Sequence, residues 1–204
     1  MAYQATDIIT MAQRLLVDID DDAYLDDMLT YFNEWQRRFA AETHCCQATK
    51  QVAVTSNVLT FATIKAAITK ASEVINPFQV RLDSGTQYSF LTKSGLSDLR
   101  DLPLAATVLP TRYSVFGKQL TFDLMPTATI SFNATVSCSY VPDDLTATSE
   151  DTLIPSEWAQ AGVHYLCYCV RISDRDANLA NGHFAEYEAI RMQAALLYKS
   201  QMEA

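Results

Sequence analysis

The sequence predicts an α+β fold, a four-helix bundle with an antiparallel β-rich domain inserted between its second and third helices. Both ends of the 204-residue chain show apolar residues at helical spacing, whereas the middle alternates apolar and polar residues. A helix pair at either end buries its apolar face best against the other pair. The predicted domains are an N-terminal helix pair over 1–48, the β-rich domain over 49–145, and a C-terminal helix pair with its tail over 146–204.

The N-terminal region is predicted to form two helices. The first begins near Thr6, whose hydroxyl can cap the first turn, and it ends at the acidic residues 20–22. The carboxylates of this acidic run suit the start of the second helix. The second helix is strongly amphipathic, and its apolar stripe supplies three residues that we expect to define the core, Leu25, Leu29 and Phe32.

Alternating apolar residues predict strands in the middle of the chain, first over 52–58 and again over 78–82. A helical island over roughly 61–74 lies between these two runs. Residues 97–101 are expected to form a short helix or a loop, and residues 83–85 a turn.

A hairpin is the clearest β signal. Two alternating runs, 113–116 and 119–124, flank a Gly-Lys pair that is typical of a tight turn. Tyr113 and Phe122 in these runs are the core residues expected for the β-rich domain. Strict alternation over 128–141 predicts a further strand.

Two more helices are predicted after the polar segment that follows this strand. Pro155 ends the strand-like residues before it, and Ser156 can cap the third helix, which begins at Trp158 and is apolar on nearly all sides. Pro155 and Trp158 complete the set of fold-defining residues. The fourth helix runs from about 176 or 178 to Ser200.

Composition narrows the classes of function. The net charge of −9 repels polyphosphate, so specific nucleic-acid binding is not expected. No apolar run approaches the ~20 residues that span a bilayer, and the N-terminus lacks the blocks of a signal peptide. We therefore expect a soluble protein that is folded inside a cell and has no membrane partner. The five cysteines are odd in number and include no CxxC pair, which favours reduced thiols.

No pattern of residues indicates an active site. The chain has none of the common nucleotide-binding, serine-hydrolase or zinc-protease motifs. His164 and Cys167 share a helix face, as a thiolate–imidazole pair requires, but their apolar neighbours favour a buried histidine. His44 with Cys45 and Cys46 lacks a second ligand pair at zinc spacing. We predict no catalytic residue, no metal site and no cofactor, and we expect a protein that is not an enzyme.

Two clusters of charged residues can be explained by structural roles. The aspartates between 20 and 27 lack the spacing and the glycine of a calcium-binding loop, so a solvated helix start explains them better. Basic residues interleaved with Tyr88, Tyr113 and Phe116 are compatible with a nucleic-acid face, but core and edge-strand positions account for them equally well. These basic residues are Arg81, Lys93, Arg100, Arg112 and Lys118.

Several local strings and their order resemble the head-to-tail adaptor proteins of tailed bacteriophages, which form the connector ring beneath the portal. YLDDMLTYFNE over 24–34 is similar to the second helix of that family. PTRYSVFG over 110–117, followed by LTFDLMP over 120–126, is similar to its hairpin. VSCSYVPDDL over 136–145 is followed by Leu-Ile-Pro and then a tryptophan, an order that is also similar to that of the family.

The resemblance implies a structural virion protein. It implies a four-helix bundle with a β insertion, a ring that is commonly twelve-fold, and a central channel through which DNA passes without specific binding. The implied partners are the portal protein, tail or nozzle proteins, and other copies of the chain, in the virion and in the host cytoplasm during assembly. Because the C-terminal segment of the family often docks on the portal, the implied contact residues are Tyr198, Lys199, Gln201 and Met202.

Two alternatives remain open at this point. The first is another virion neck or tail-completion protein, which differs from an adaptor in its partners rather than in its physical properties. The second is a binding module carried by the β insertion alone. That reading predicts that residues 50–142 fold and bind a ligand without the helices.

Overall fold

The computed structural model describes residues 3–19, 27–83, 88–100, 110–123 and 132–203. The helices are α1 (Ala5–Leu15), α2 (Met28–Thr43), α3 (Phe61–Ala66), α4 (Leu96–Arg100), α5 (Ala159–Ser173) and α6 (Ala177–Glu203), and a short 3₁₀ helix over Ser156–Trp158 precedes α5. The strands are β1 (Gln47–Val54), β2 (Val58–Thr60), β3 (Ala71–Asp83), β4 (Tyr88–Phe90), β5 (Thr92–Lys93), β6 (Arg112–Phe116), β7 (Gln119–Phe122) and β8 (Phe132–Pro142).

The fold is α+β, but the predicted four-helix bundle with one antiparallel insertion is wrong. The described residues form six α-helices, and their strands fall into two four-stranded sheets. One strand pair, β5 with β6, is parallel rather than antiparallel. The missed elements are short. Strands β4 and β5, of three and two residues, are too short to show alternation, whereas α3 and α4 lie in the segments predicted as a helical island and as a short helix or loop.

The chain divides into two compact units. We call Met1–Cys46 together with Val141–Ala204 the helical unit, and Gln47–Tyr140 the β unit. The helical unit is therefore made of two separate stretches of sequence, with the β unit between them along the chain. It contains α1, α2, α5 and α6, whereas α3, α4 and both sheets belong to the β unit.

Aromatic side chains form the core of the helical unit. The rings of Trp35 and Phe32 meet edge to face with their centroids 5.2 Å apart, and Tyr165 and Tyr187 meet in the same way at 5.1 Å. A Cβ at Gly162 of α5 would lie only 3.0 Å from the Trp35 ring, so glycine is what lets α5 approach α2 this closely. All four rings are buried.

A buried polar network fastens α2 to the segment that precedes α5. The Gln36 side chain donates to the Asp143 carbonyl at 3.0 Å and accepts from the Thr152 hydroxyl at 3.0 Å. The same hydroxyl accepts from the amide of Ile154 at 3.1 Å. Because buried polar groups need partners, this network fixes the path of the connection as well as satisfying Gln36.

The β unit contains two sheets. The first has the strand order β1-β8-β3-β4, and the second has the order β2-β7-β6-β5. Strands β1 and β8 are antiparallel from the pair Gln47 and Ser139 to the pair Val54 and Phe132. Alternation turns one face of the first sheet inward, where Val80, Leu82, Ala134, Val136 and Cys138 are buried.

The hairpin predicted from alternation is confirmed. Strands β6 and β7 pair antiparallel, and Tyr113 lies opposite Phe122. The turn residues Gly117 and Lys118 both have positive φ angles, 58° and 59°, as a type I′ turn requires. Glycine tolerates this conformation readily. The Lys118 side chain also forms an ion pair with the Glu73 carboxylate, at 2.6 Å.

Some predicted boundaries differ from those of the structure. The helical island predicted over 61–74 ends at Ala66, and β3 begins at Ala71 because the left-handed Lys70, with φ of 61°, turns the chain between them. Helix α1 begins one residue before the predicted cap, where the Gln4 amide donates to Asp7. The acidic run 20–22, most of the turn at 83–85 and the start of the strand predicted over 128–141 lie outside the described residues.

Candidate protein-contact surfaces

His164 and Cys167 share a face of α5, but they do not form a hydrogen bond with each other; each has a different partner. Cys167 is buried and its thiol donates to the Ala12 carbonyl at 3.7 Å, while burial raises its pKa to about 11. His164 instead lies beside α6, with its Nδ1 atom 3.2 Å from Nδ1 of His183. A thiol with that pKa is protonated at neutral pH, so Cys167 and His164 do not form a thiolate–imidazole pair.

The vicinal cysteines after α2 are also buried. Their sulfur atoms are 4.0 Å apart, and the Cys46 thiol donates to the Leu153 carbonyl at 3.5 Å. The hydrogen bond with Cys45 and burial raise the pKa of Cys46. Within the described ranges, no three histidine, cysteine or acidic side chains come close enough to share a metal ion. Most of the aspartates between 20 and 27 lie outside those ranges.

The basic and aromatic residues of the β unit do not form one face. Tyr113 is buried, whereas Tyr88 and Phe116 are exposed. The Arg81 guanidinium lies over the Tyr88 ring, 4.7 Å from its centroid, and Lys118 is paired with Glu73. Cations that are already stacked or paired have less capacity to bind phosphates. The side chain of Arg100 lies outside what the structure describes.

The residues expected to define the core have different exposures. Phe32, Tyr113 and Phe122 are buried, and Leu29, Pro155 and Trp158 are half-buried. Leu25 lies outside the described residues. The Trp158 indole donates to the Tyr198 hydroxyl at 3.2 Å, which ties the start of α5 to the end of α6.

The four residues expected to contact a partner at the C-terminus also differ. Tyr198 is buried, with its ring 6.4 Å from that of Trp158, and burial raises its pKa. Its side chain therefore anchors α6 to the helical unit. Lys199 and Gln201 are exposed and Met202 is half-buried, so these three are the accessible members of the four.

The outer face of α6 is a surface that sequence inspection missed. Ala185, Ala189, Met192 and Leu196 recur at intervals of four, three and four residues, so they lie on one face of the helix. All four are exposed, Leu196 to 71% and Met192 to 55%. We call these four residues the α6 stripe. The sequence does carry one sign of this surface. A helix with a single buried side has apolar residues on one face, whereas α6 has them on more than one face.

A groove of about 250 Å³ lies along α1. Its lining residues, Tyr3, Asp7, Thr10, Met11 and Arg14, follow one face of the helix. The groove combines an aromatic and a thioether side chain with charges of both signs. Nearby, Leu15 and Val17 are exposed to 49% and 79%. Exposed apolar side chains gathered in this way are typical of protein-contact surfaces.

Exposed aromatic rings mark a third surface, on the β unit. Tyr88 and Phe90 in β4 lie directly opposite Asp83 and Arg81 in β3, so the four side chains share one face of the first sheet. Phe116 is exposed beside the hairpin turn of the second sheet. Tyrosine and arginine are the residue types enriched where protein interfaces concentrate binding energy.

None of the described helices combines the length and apolarity needed to cross a bilayer. Among known proteins, a family model described as SU10 adaptor protein matches residues 3–203. The match covers the helical unit and the β unit alike, so it concerns nearly the whole chain. No curated protein matches the chain.

Proposed function

The chain belongs to the SU10 adaptor protein family, and on that premise we propose that it is a structural protein of a phage virion that joins the head to the tail. The observation that carries the proposal is the extent of the family match, from residue 3 to residue 203. A match confined to the β unit would have left a separate binding module open. A match over both units favours one structural role for the whole chain.

In this proposal, copies of the chain form a ring between the portal and the tail, and DNA passes through its centre. The helical unit supplies the body of the ring, and its aromatic core gives that body rigidity. The net charge of −9 suits a channel whose wall repels DNA rather than gripping it. A basic lumen in the assembled ring would contradict this part of the proposal.

The portal contact is proposed at the end of α6. Lys199 and Gln201 are exposed there, while Tyr198 holds the helix against Trp158 from the inner side. A helix anchored in this way presents its last turn at a fixed position, which reduces the entropy lost on docking. The exposed aromatics of the β unit are then available for tail or nozzle proteins.

Electron microscopy of the purified protein, alone and mixed with the portal protein encoded by the same phage, tests the proposal. We expect rings seated on the portal in the mixture. A chain ending after Tyr198 is the matched variant, since it keeps the Trp158 contact but lacks the exposed last turn. Persistent monomers and no portal binding by the full chain would overturn the proposal.

A further inference from the structure

The helical unit has exposed apolar residues on two of its outer helices. Helices α2 and α5 each pack against both α1 and α6, so α1 and α6 lie on either side of the α2–α5 pair. The α6 stripe projects from one of these outer helices, and the groove along α1 opens on the other. One protomer therefore has a projecting apolar surface and a recessed one in two different places.

We propose that the α6 stripe of one copy docks in the α1 groove of the next copy. The inference rests on the proposed ring. A ring requires contacts between two different surfaces, because a contact between two identical surfaces closes as a dimer. The two outer helices supply such a pair of surfaces.

The two surfaces match in length. From Ala185 to Leu196 the stripe spans eleven steps along α6, about 16 Å at 1.5 Å per residue. Helix α1 has 11 residues and about the same length. The groove volume of about 250 Å³ equals that of several water molecules at ~30 Å³ each, which is enough to admit a leucine or methionine side chain.

The charges at the edges also match. Arg14 ends the α1 groove and Glu186 flanks the α6 stripe; both are exposed, and neither forms an ion pair within the part of the chain that the structure describes. When the two helices run antiparallel with Glu186 beside Arg14, Leu196 reaches the Tyr3 end of the groove and Met192 lies near Thr10. This registry places the acidic Glu186 beside the basic Arg14, and the apolar Leu196 beside the Tyr3 ring.

Crosslinking between two differently labelled chains tests the registry. Met192→Cys and Thr10→Cys are prepared separately; both positions are exposed, so each variant should fold. Each variant alone, and their mixture, is treated with a short bis-maleimide in the presence of the portal protein, and dimers are resolved on denaturing gels. We expect crosslinked dimers in the mixture at a level at least about tenfold above either variant alone. Unsubstituted chain, with its buried or half-buried thiols, and a mixture of Met192→Cys with Phe116→Cys are the controls.

Each outcome decides the inference. Crosslinking of Met192→Cys with itself would overturn it in favour of a symmetric α6 contact. Rings on the portal without any Met192–Thr10 crosslink would overturn it while leaving the proposed function intact. Absence of rings with the unsubstituted chain would overturn the proposed function, and this inference with it.

A charge exchange provides a second measurement on the same contact. Arg14→Glu and Glu186→Arg should each lower the crosslinking yield by roughly twofold to fivefold, as expected for an exposed ion pair. The double variant carries both exchanged charges in every copy and should regain the yield. Failure of the double variant to recover would contradict the antiparallel registry.

Discussion

In the helical unit Trp35, Phe39 and Tyr187 have no exposed surface, whereas in the β unit Tyr88, Phe90 and Phe116 are 67%, 62% and 63% exposed. The first set of rings fills a core in which neighbouring centroids lie about 5 to 6 Å apart. The second set lies on sheet faces and beside a turn. Rings of the same types are therefore core residues in the first set and surface residues in the second, and substitutions should separate these two situations.

The largest expected effect is the loss of the Trp35 ring. Trp35→Ala should lower the free energy of unfolding by about 3–5 kcal/mol, because it opens a cavity beneath α5 where Gly162 now touches the ring. Denaturant unfolding followed by circular dichroism measures the change. Trp35→Phe is the matched control; it removes the indole N–H, which lacks a hydrogen-bond partner among the described residues, and should lose much less. Equal losses for the two variants would show that ring volume is not what stabilises this core.

A smaller effect is expected in the polar network of the same unit. Thr152→Val leaves the Gln36 side-chain oxygen and the Ile154 amide without their partner and should lower the free energy of unfolding by about 1–3 kcal/mol. The comparison variant is Thr148→Val, at an exposed position on the same segment, which should stay within about 0.5 kcal/mol of the parent chain. The same denaturant titration applies to both, and a neutral Thr152→Val would contradict the buried network.

Mild acid should lower the stability of the helical unit rather than that of the β unit, because all three histidines of the chain lie outside residues 47–140. Burial, and then the nearby charges of His164 and Arg171, lower the pKa of His183 from its usual value near 6.5. The unfolded chain therefore takes up a proton at higher pH than the folded chain does. Stability present above about pH 6.5 should be lost as the pH falls toward the pKa of the folded state.

Thermal unfolding across this pH range checks the prediction. The melting temperature should fall on acidification, and part of that fall should disappear in His183→Gln. His44 provides the comparison, since burial lowers its pKa as well but it has a different position, at the end of α2. An identical pH profile for His183→Gln and the parent chain would show that the His164–His183 pair does not contribute.

The smallest effects are expected for the exposed rings of the β unit. Tyr88→Ala removes the ring beneath the Arg81 guanidinium and should lower the free energy of unfolding by about 0.5–1 kcal/mol. Phe116→Ser, with no packed core to disturb, should stay within about 0.5 kcal/mol. Denaturant unfolding measures both, and a loss above about 2 kcal/mol for either variant would remove the distinction between the two units.

Segments with a clear period or turn signal were predictable from sequence, whereas the shortest strands were not. The stripe through Phe32 and Phe39 identifies α2, and alternation around the turn at Gly117 identifies the β6–β7 hairpin. Strands β4 and β5 have three and two residues, which is too few for alternation to appear. The division of the strands into two sheets depends on pairing between distant residues, which no local pattern encodes.

The candidate surfaces were only partly predictable. The C-terminal segment came from family resemblance, which gave the position along the chain but not that Tyr198 lies inward. The α6 stripe was missed because an apolar residue such as Leu196 does not reveal from sequence alone which face is buried. The α1 groove could not be predicted, since its shape depends on how Tyr3 and Arg14 sit around the helix.

The helical unit is made of two stretches that are separated along the sequence, so its two halves are synthesised at different times. Helices α1 and α2 emerge from the ribosome before residues 47–140, whereas α5 and α6 emerge after them. At ~5–20 residues per second, the first helices wait about 7–30 s until Gly162 and Tyr187, the partners that cover Trp35 and Phe39, have been synthesised. The α1 groove and the α6 stripe coexist only after translation has passed Leu196. A chain whose synthesis stops early lacks one of the two surfaces, so in the proposed ring the order of translation would exclude incomplete copies.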